Sequence, residues 1–243
     1  MNDIFVYPLQ NSKEYKDIIN CINNKGSLLI NGLLAVQKPH IAYSMYRDLN
    51  RQTIFITNSD LEAKKVYDDL SFYMKDKVEY IGFQDILFYH LDAKDRSEEA
   101  KRLKVLLKLA KGENIILVTS IEAVMRKYIP KEILLENIYT YKIGDVINLE
   151  KLSETLVNLG YERVSKIEGF GQFSIRGGIV DIFSLEYNNP IRMELFDDEI
   201  DSIRTFDVFS QKSIEKINKF SITPSREFIY PENVEEAVDK IKK

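Results

Sequence analysis

Apolar positions fall into two regimes along the chain. Up to about residue 128, short continuous apolar runs alternate with stretches in which apolar residues recur every three to four positions. The runs at 27–30 (SLLI), 53–57 (TIFIT), 78–81 (VEYI) and 114–120 (NIILVTS) read as buried strands, and the stretches between them as amphipathic helices. Tyr15, Ile18, Ile19 and Ile22 line one face of a helix over 12–23, with Ser12 in the N-cap position. Residues 40–49 are helical by the same spacing. Ser59 and Glu62 form a capping box that opens a helix to about Met74. Asp95 and Glu98 open a longer helix carrying Leu103, Leu106, Leu107 and Ala110, which Gly112 stops. Another short helix starts at Ile121. Buried strands alternating with helices predict an α/β unit on a parallel sheet.

Beyond Pro130 the period changes. A helix over 149–159, closed by Gly160, precedes a strand-rich stretch in which apolar residues alternate: Phe173 and Ile175, then Ile179 to Phe183, then Ile191, Met193 and Leu195. Asn188-Asn189-Pro190 and Asp197-Asp198 interrupt it, and such punctuation predicts antiparallel strands joined by tight connections. Tyr161 to Val164 reads as a further strand, pairing with Phe173 to Arg176 across the loop Glu168 to Gly171. After Pro224 come a strand at 227–230 and a helix from Pro231 with Val234, Ala237 and Ile241. That helix reaches Lys242-Lys243 with no stop signal, as in a piece of a longer protein. The pattern divides into an α/β unit over 1–130, an α+β unit over 131–212 and a last part over 213–243.

Composition narrows the function classes. The 243 residues carry a net charge of −4 and include one cysteine, Cys21, and two histidines, His40 and His90. An internal disulfide is excluded, and a structural zinc site is nearly so. No apolar run approaches the ~18 residues of a membrane span, so a cytoplasmic protein without a membrane partner is expected. The acidic balance gives no overall attraction to nucleic acid.

A strand leading through Gly32 into a helix is where an α/β protein cradles phosphate. Here the loop is Gly32-Leu33-Leu34-Ala35-Val36-Gln37-Lys38-Pro39-His40. Lys38 holds the lysine position, but Ala35 and Gln37 replace the inner glycines, and Pro39 replaces the metal-binding hydroxyl and lacks an amide donor. This reads as a degenerate, non-functional nucleotide loop. Asp197, Asp198, Glu199 and Asp201 form an acidic cluster better read as a hairpin turn than as a metal site. Each histidine reads as a surface or boundary residue, and the aromatic residues as core. No catalytic constellation emerges. What remains is a surface with Arg163 and Arg176 on neighbouring strands, suited to carboxylate or phosphate, the competing reading being an ion pair within the domain.

Two segments, FSIRGGIVDIF over 173–183 and RMELFDDEIDSIRTFD over 192–207, with QKSI over 211–214 continuing them, closely resemble the bacterial transcription-repair coupling factors, and in looser form the excision-repair protein UvrB. The segment Ser120 to Val124 and the helix after Ser59 resemble their counterparts in the same family. The resemblance implies a helicase-like α/β domain with a dead nucleotide site, interrupted by a smaller inserted domain and then resumed. It further implies that the inserted domain binds UvrA through Arg163 and Arg176. A third arginine of UvrB falls on Ser174. Such a module implies no catalysis and no cofactor of its own. ATP and magnesium belong to a downstream motor, which with other missing domains engages double-stranded DNA and RNA polymerase. The competing class is a nucleotide-dependent helicase or a UvrB-type damage-binding subunit.

Overall fold

The computed structural model describes residues 3–83 and 92–227, with backbone alone over 92–97. In chain order its elements are α1 (Tyr7–Gln10), α2 (Lys13–Asn23), α3 (Gln37–Leu49), β1 (Thr53–Thr57), α4 (Asp60–Tyr73), β2 (Val78–Ile81), α5 (Asp92–Ala110), β3 (Ile116–Ser120) and α6 (Ile121–Val124). There follow α7 (Lys131–Glu136), β4 (Tyr139–Lys142), α8 (Leu149–Asn158), β5 (Glu162–Arg163), β6 (Gln172–Arg176), β7 (Ile179–Ile182), β8 (Ile191–Phe196), β9 (Glu199–Phe206), β10 (Ser213–Lys216) and β11 (Lys219–Ile222). They fall into two compact units, the first made of 3–83 with 111–127, the second of 92–110 with 128–227. Among the described residues no helix is long and apolar enough to cross a membrane. The strand expected at 227–230 and the helix expected from Pro231 lie, but for Glu227, outside the described residues, as does His90.

In the first unit three parallel strands run in the order β1-β3-β2, the arrangement that alternating strands and helices predict. Ile116 and Val118 turn one face of β3 into a core with Ala63, Val66 and Leu70 of α4 and Tyr43 and Tyr46 of α3. The helix starts follow from local chemistry. Ser12, Ser59 and Ser120 accept from the backbone N–H of Tyr15 (3.1 Å), Glu62 (3.3 Å) and Ala123 (3.3 Å), each satisfying a donor the first turn leaves unpaired.

Two expectations fail here. Residues 27–30 form no strand, and Leu28, Leu29 and Ile30 are exposed, Leu29 at 82%. An apolar run of four becomes a buried strand only where a neighbour takes its backbone hydrogen bonds, and the parallel sheet here starts at Thr53. Nor is β1 buried on both faces. Phe55 packs against the core, whereas Ile54 and Ile56 stand exposed.

In the second unit six strands run in the order β10-β9-β8-β7-β6-β5, antiparallel except for the parallel β5–β6 pair, and β11 pairs antiparallel with β4 in a smaller sheet. Phe173, Val180, Ile182, Ile191, Met193, Ile200 and Ile203 project from one face of the larger sheet. They bury Leu152 and Leu156 of α8, Leu159 after it, and Phe220 and Ile222 of β11. Asn148 caps α8 by accepting from Lys151 N at 2.9 Å. Gly160 ends it at φ +85°, where a Cβ would lie 2.6 Å from the Arg226 side chain, so both backbone and space favour glycine.

The long helix α5 packs in this unit, because Leu103, Leu107 and Ala110 meet Leu134 of α7 and Leu185. The unit also continues past residue 212. β10 extends the six-stranded sheet beside β9, and β11 closes the core beside β4. Phe173 is wholly buried at the centre of this core. Phe173→Ala is therefore expected to cost about 3–5 kcal/mol, read as a lower urea midpoint at unchanged slope.

Candidate functional site

Strand alternation gives the six-stranded sheet a second face. Cross-strand registry aligns Ser174, Asp181, Arg192 and Arg204 in one row, and Arg176, Ile179, Glu194 and Ser202 in the next. Charged residues thus occupy the side of β6–β9 opposite the apolar core.

Asp181 is the centre of that face. It is 2% exposed, and a carboxylate so deep needs cationic partners. Arg192 supplies a two-point contact, Nε to Oδ1 at 2.6 Å and Nη2 to Oδ2 at 2.9 Å. Arg176 donates from Nη2 to the same Oδ2 at 2.7 Å. The Arg192 guanidinium lies 4.3 Å from the centre of the Phe206 ring, a cation–π distance, and also donates to Gln211 Oε1 at 3.1 Å. Its hydrogen bonds to Asp181, working against burial, hold its pKa above the ordinary arginine value. Next to this group Glu194 accepts from Arg204, and from Ser202 Oγ at 3.0 Å.

The two arginines differ sharply in freedom. Arg192 is enclosed, its side chain 14% exposed, while that of Arg176 is 51% exposed. Two cations share one buried anion, so the excess positive charge rests on the exposed one. Arg176 spends one of its five N–H donors on Asp181 and can offer the others to a ligand. A planar, partly anchored guanidinium suits a carboxylate or another acidic surface.

Arg163 stands differently. β5 pairs with β6 as expected, but in parallel, and the register sets Arg163 beside Phe173 and Glu162 beside Gln172. Alternation therefore puts Arg163 on the edge strand, exposed, and on the side of the sheet away from Arg176. Ser174 shares Arg176's side but is buried, donating to Ser165 O at 3.2 Å. Asp197 and Asp198 make the two-residue turn between Phe196 and Glu199, with Asp197 at φ +59°, a conformation Asp tolerates.

The loop from Gly32 runs straight into α3, so Lys38 and Pro39 lie in its first turn. Gln37 N donates to Leu34 O at 3.0 Å and Lys38 N to Ala35 O at 3.3 Å. Leu34 N donates to Gln37 Oε1 at 2.9 Å, and Pro39 has no N–H. Amides that a phosphate cradle would turn toward its ligand are here bonded within the chain. His40 is a boundary residue, with Nε2 2.6 Å from Phe5 O and its ring stacked on Tyr73.

Sequence reasoning missed Asp181 and Arg192 as site residues. The signal was an aspartate inside the apolar run Ile179 to Phe183, since a buried charge requires a partner. Which partner it finds depends on the β7–β8 register.

Comparison with known proteins bears on this unit directly. Residues 140–228 match the family model of the UvrB interaction domain. Across 237 residues the chain is 34% identical to the transcription-repair-coupling factor of Bacillus subtilis, covering 96% of this chain and 20% of that protein. The resemblance to the transcription-repair coupling factors is thereby shown. The factor of Staphylococcus aureus (strain Mu50) is 32% identical over 227 residues, or 93% of this chain and 19% of that protein. The chain thus spans about a fifth of the length of these relatives.

The two arginines should separate in a stability measurement. Arg192→Ala leaves Asp181 with a single, half-exposed partner and is expected to cost about 3 kcal/mol in urea unfolding, whereas Arg176→Ala should cost under about 1 kcal/mol.

Proposed function

We propose that this chain is a non-catalytic recruiting module of a transcription-repair coupling factor, and that it binds UvrA through the charged face of its six-stranded sheet. The observation that carries this reading is the half-exposed Arg176 guanidinium, anchored by the buried Asp181–Arg192 pair within the stretch that matches the UvrB interaction domain. Arg176 is the central contact. Arg163, on the edge strand but on the opposite side of the sheet, lies outside this face and is at most a secondary contact at its edge. Ser174 takes no direct part, since it is buried.

The first unit is a helicase-like domain that no longer uses nucleotide. The occupied amides of Leu34, Gln37 and Lys38 and the missing donor at Pro39 support this reading over that of a nucleotide-dependent helicase or damage-binding subunit. In the whole factor, an ATP- and magnesium-dependent motor elsewhere in the chain moves on double-stranded DNA and displaces stalled RNA polymerase in the cytoplasm. This module brings the repair machinery.

Titration of the purified chain against purified UvrA tests the reading. Arg176→Ala is expected to weaken binding by about 2 kcal/mol, in the range of an interface hot spot, with only a small change in the melting temperature. Arg163→Ala should weaken it less. Affinity unchanged by Arg176→Ala would overturn the docking face. The purified chain should show no ATP turnover, and turnover lost on Lys38→Ala would overturn the assignment of the first unit.

A further inference from the structure

The charged face contains a feature that Coulomb attraction alone does not explain. A surface meant to hold an acidic partner carries an aspartate at its centre, against its most available arginine. Asp181 bonds both Arg176 and Arg192. Its Oδ2 takes Arg176 Nη2 at 2.7 Å and Arg192 Nη2 at 2.9 Å. Arg192 is in turn fixed from further sides, by the Phe206 ring beneath it and by Gln211 beside it. Gln211 is itself held, donating from Nε2 to Val208 O at 2.7 Å in the turn after β9. A chain of fixed contacts therefore leads from Val208 through Gln211, Arg192 and Asp181, and ends on Arg176. Only that last guanidinium is half open to solvent.

We propose that Asp181 is a positioning residue for partner binding, whose buried carboxylate holds the Arg176 guanidinium in the orientation that receives an acidic group of the partner. The inference rests on the docking reading above and deepens it. A free arginine side chain loses rotamer entropy when it is fixed. Anchoring one Nη2 in the unbound protein removes part of that loss before the partner arrives, the general advantage of preorganisation. The remaining donors of the fork stay available. Because Arg192 neutralises the carboxylate, the anchor does not cancel the positive charge presented by Arg176.

The two roles of a central aspartate predict opposite signs. If Asp181 acted on the partner only as a negative charge, removing that charge would tighten the binding of an acidic surface. If it positions Arg176, Asp181→Asn weakens binding, by roughly tenfold for the loss of a charge-assisted hydrogen bond. The experiment titrates purified UvrA with the full chain and its Asp181→Asn, Arg176→Ala and double variants, each checked by thermal melting. The expected result is weaker binding for Asp181→Asn and no further loss when the substitution is added to Arg176→Ala. A merely structural role for Asp181 would lower affinity equally in both backgrounds, and that outcome overturns the proposal. So does unchanged or tighter binding by Asp181→Asn while Arg176→Ala weakens it. No effect of Arg176→Ala at all overturns the docking reading, and the positioning role falls with it. If Asp181→Asn does not fold, Arg192→Lys takes its place. It keeps the charge but loses the two-point contact that fixes Asp181, and the same cycle with Arg176→Ala is expected to show the same non-additivity at smaller amplitude. Full additivity in that cycle would overturn the proposal.

Discussion

A single buried carboxylate organises the second unit's polar face. Asp181 sits in the middle of β7 among Val180, Ile182 and Phe183, all inside the protein, and an unpaired charge there would be untenable. Arg192 must therefore come to it from β8, and the β7–β8 register that lines up Ile182 with Ile191 and Val180 with Met193 in the core also lines up Asp181 with Arg192. The apolar face and the charged face thus specify the same strand pairing. A one-residue slip would bury Arg192 in the core and expose Met193. Arg176 benefits from a constraint it does not itself impose.

The two units differ in what each encloses. The second unit buries one side of a six-stranded sheet under α8 and β11 and carries charged residues on the other side. The first unit has a three-stranded sheet with Ile54 and Ile56 of its edge strand exposed. The amides of Leu34, Gln37 and Lys38, in the loop before and at the start of α3, are spent on local turns.

The parts legible in the sequence are those with local causes. Serine caps, the glycine after α8, the Asp197-Asp198 turn and the period-two strands of β6–β8 all depend on residues within a few positions of one another. Strands β1, β2 and β3 were legible as apolar runs. Residues 27–30 gave the same signal and formed no strand, because a run of four apolar residues does not encode whether a neighbour will accept its backbone. The side on which Arg163 lies was hidden for a related reason. Its placement depends on the parallel register of a two-residue strand, which alternation within one segment cannot supply. Asp181 and Arg192 stand 11 residues apart, and only hairpin pairing joins them. The resemblance carried by segments within residues 173–214 pointed to the second unit without revealing how Arg176 is held.

Hydrogen–deuterium exchange of this chain with and without UvrA tests the central claim most directly. Binding through the charged face predicts slowed exchange in β6, β7 and β8 around Arg176, Asp181 and Arg192, with 27–36 and β1 of the first unit unchanged. Protection confined to the first unit, with β6–β8 exchanging as in the free protein, would contradict it.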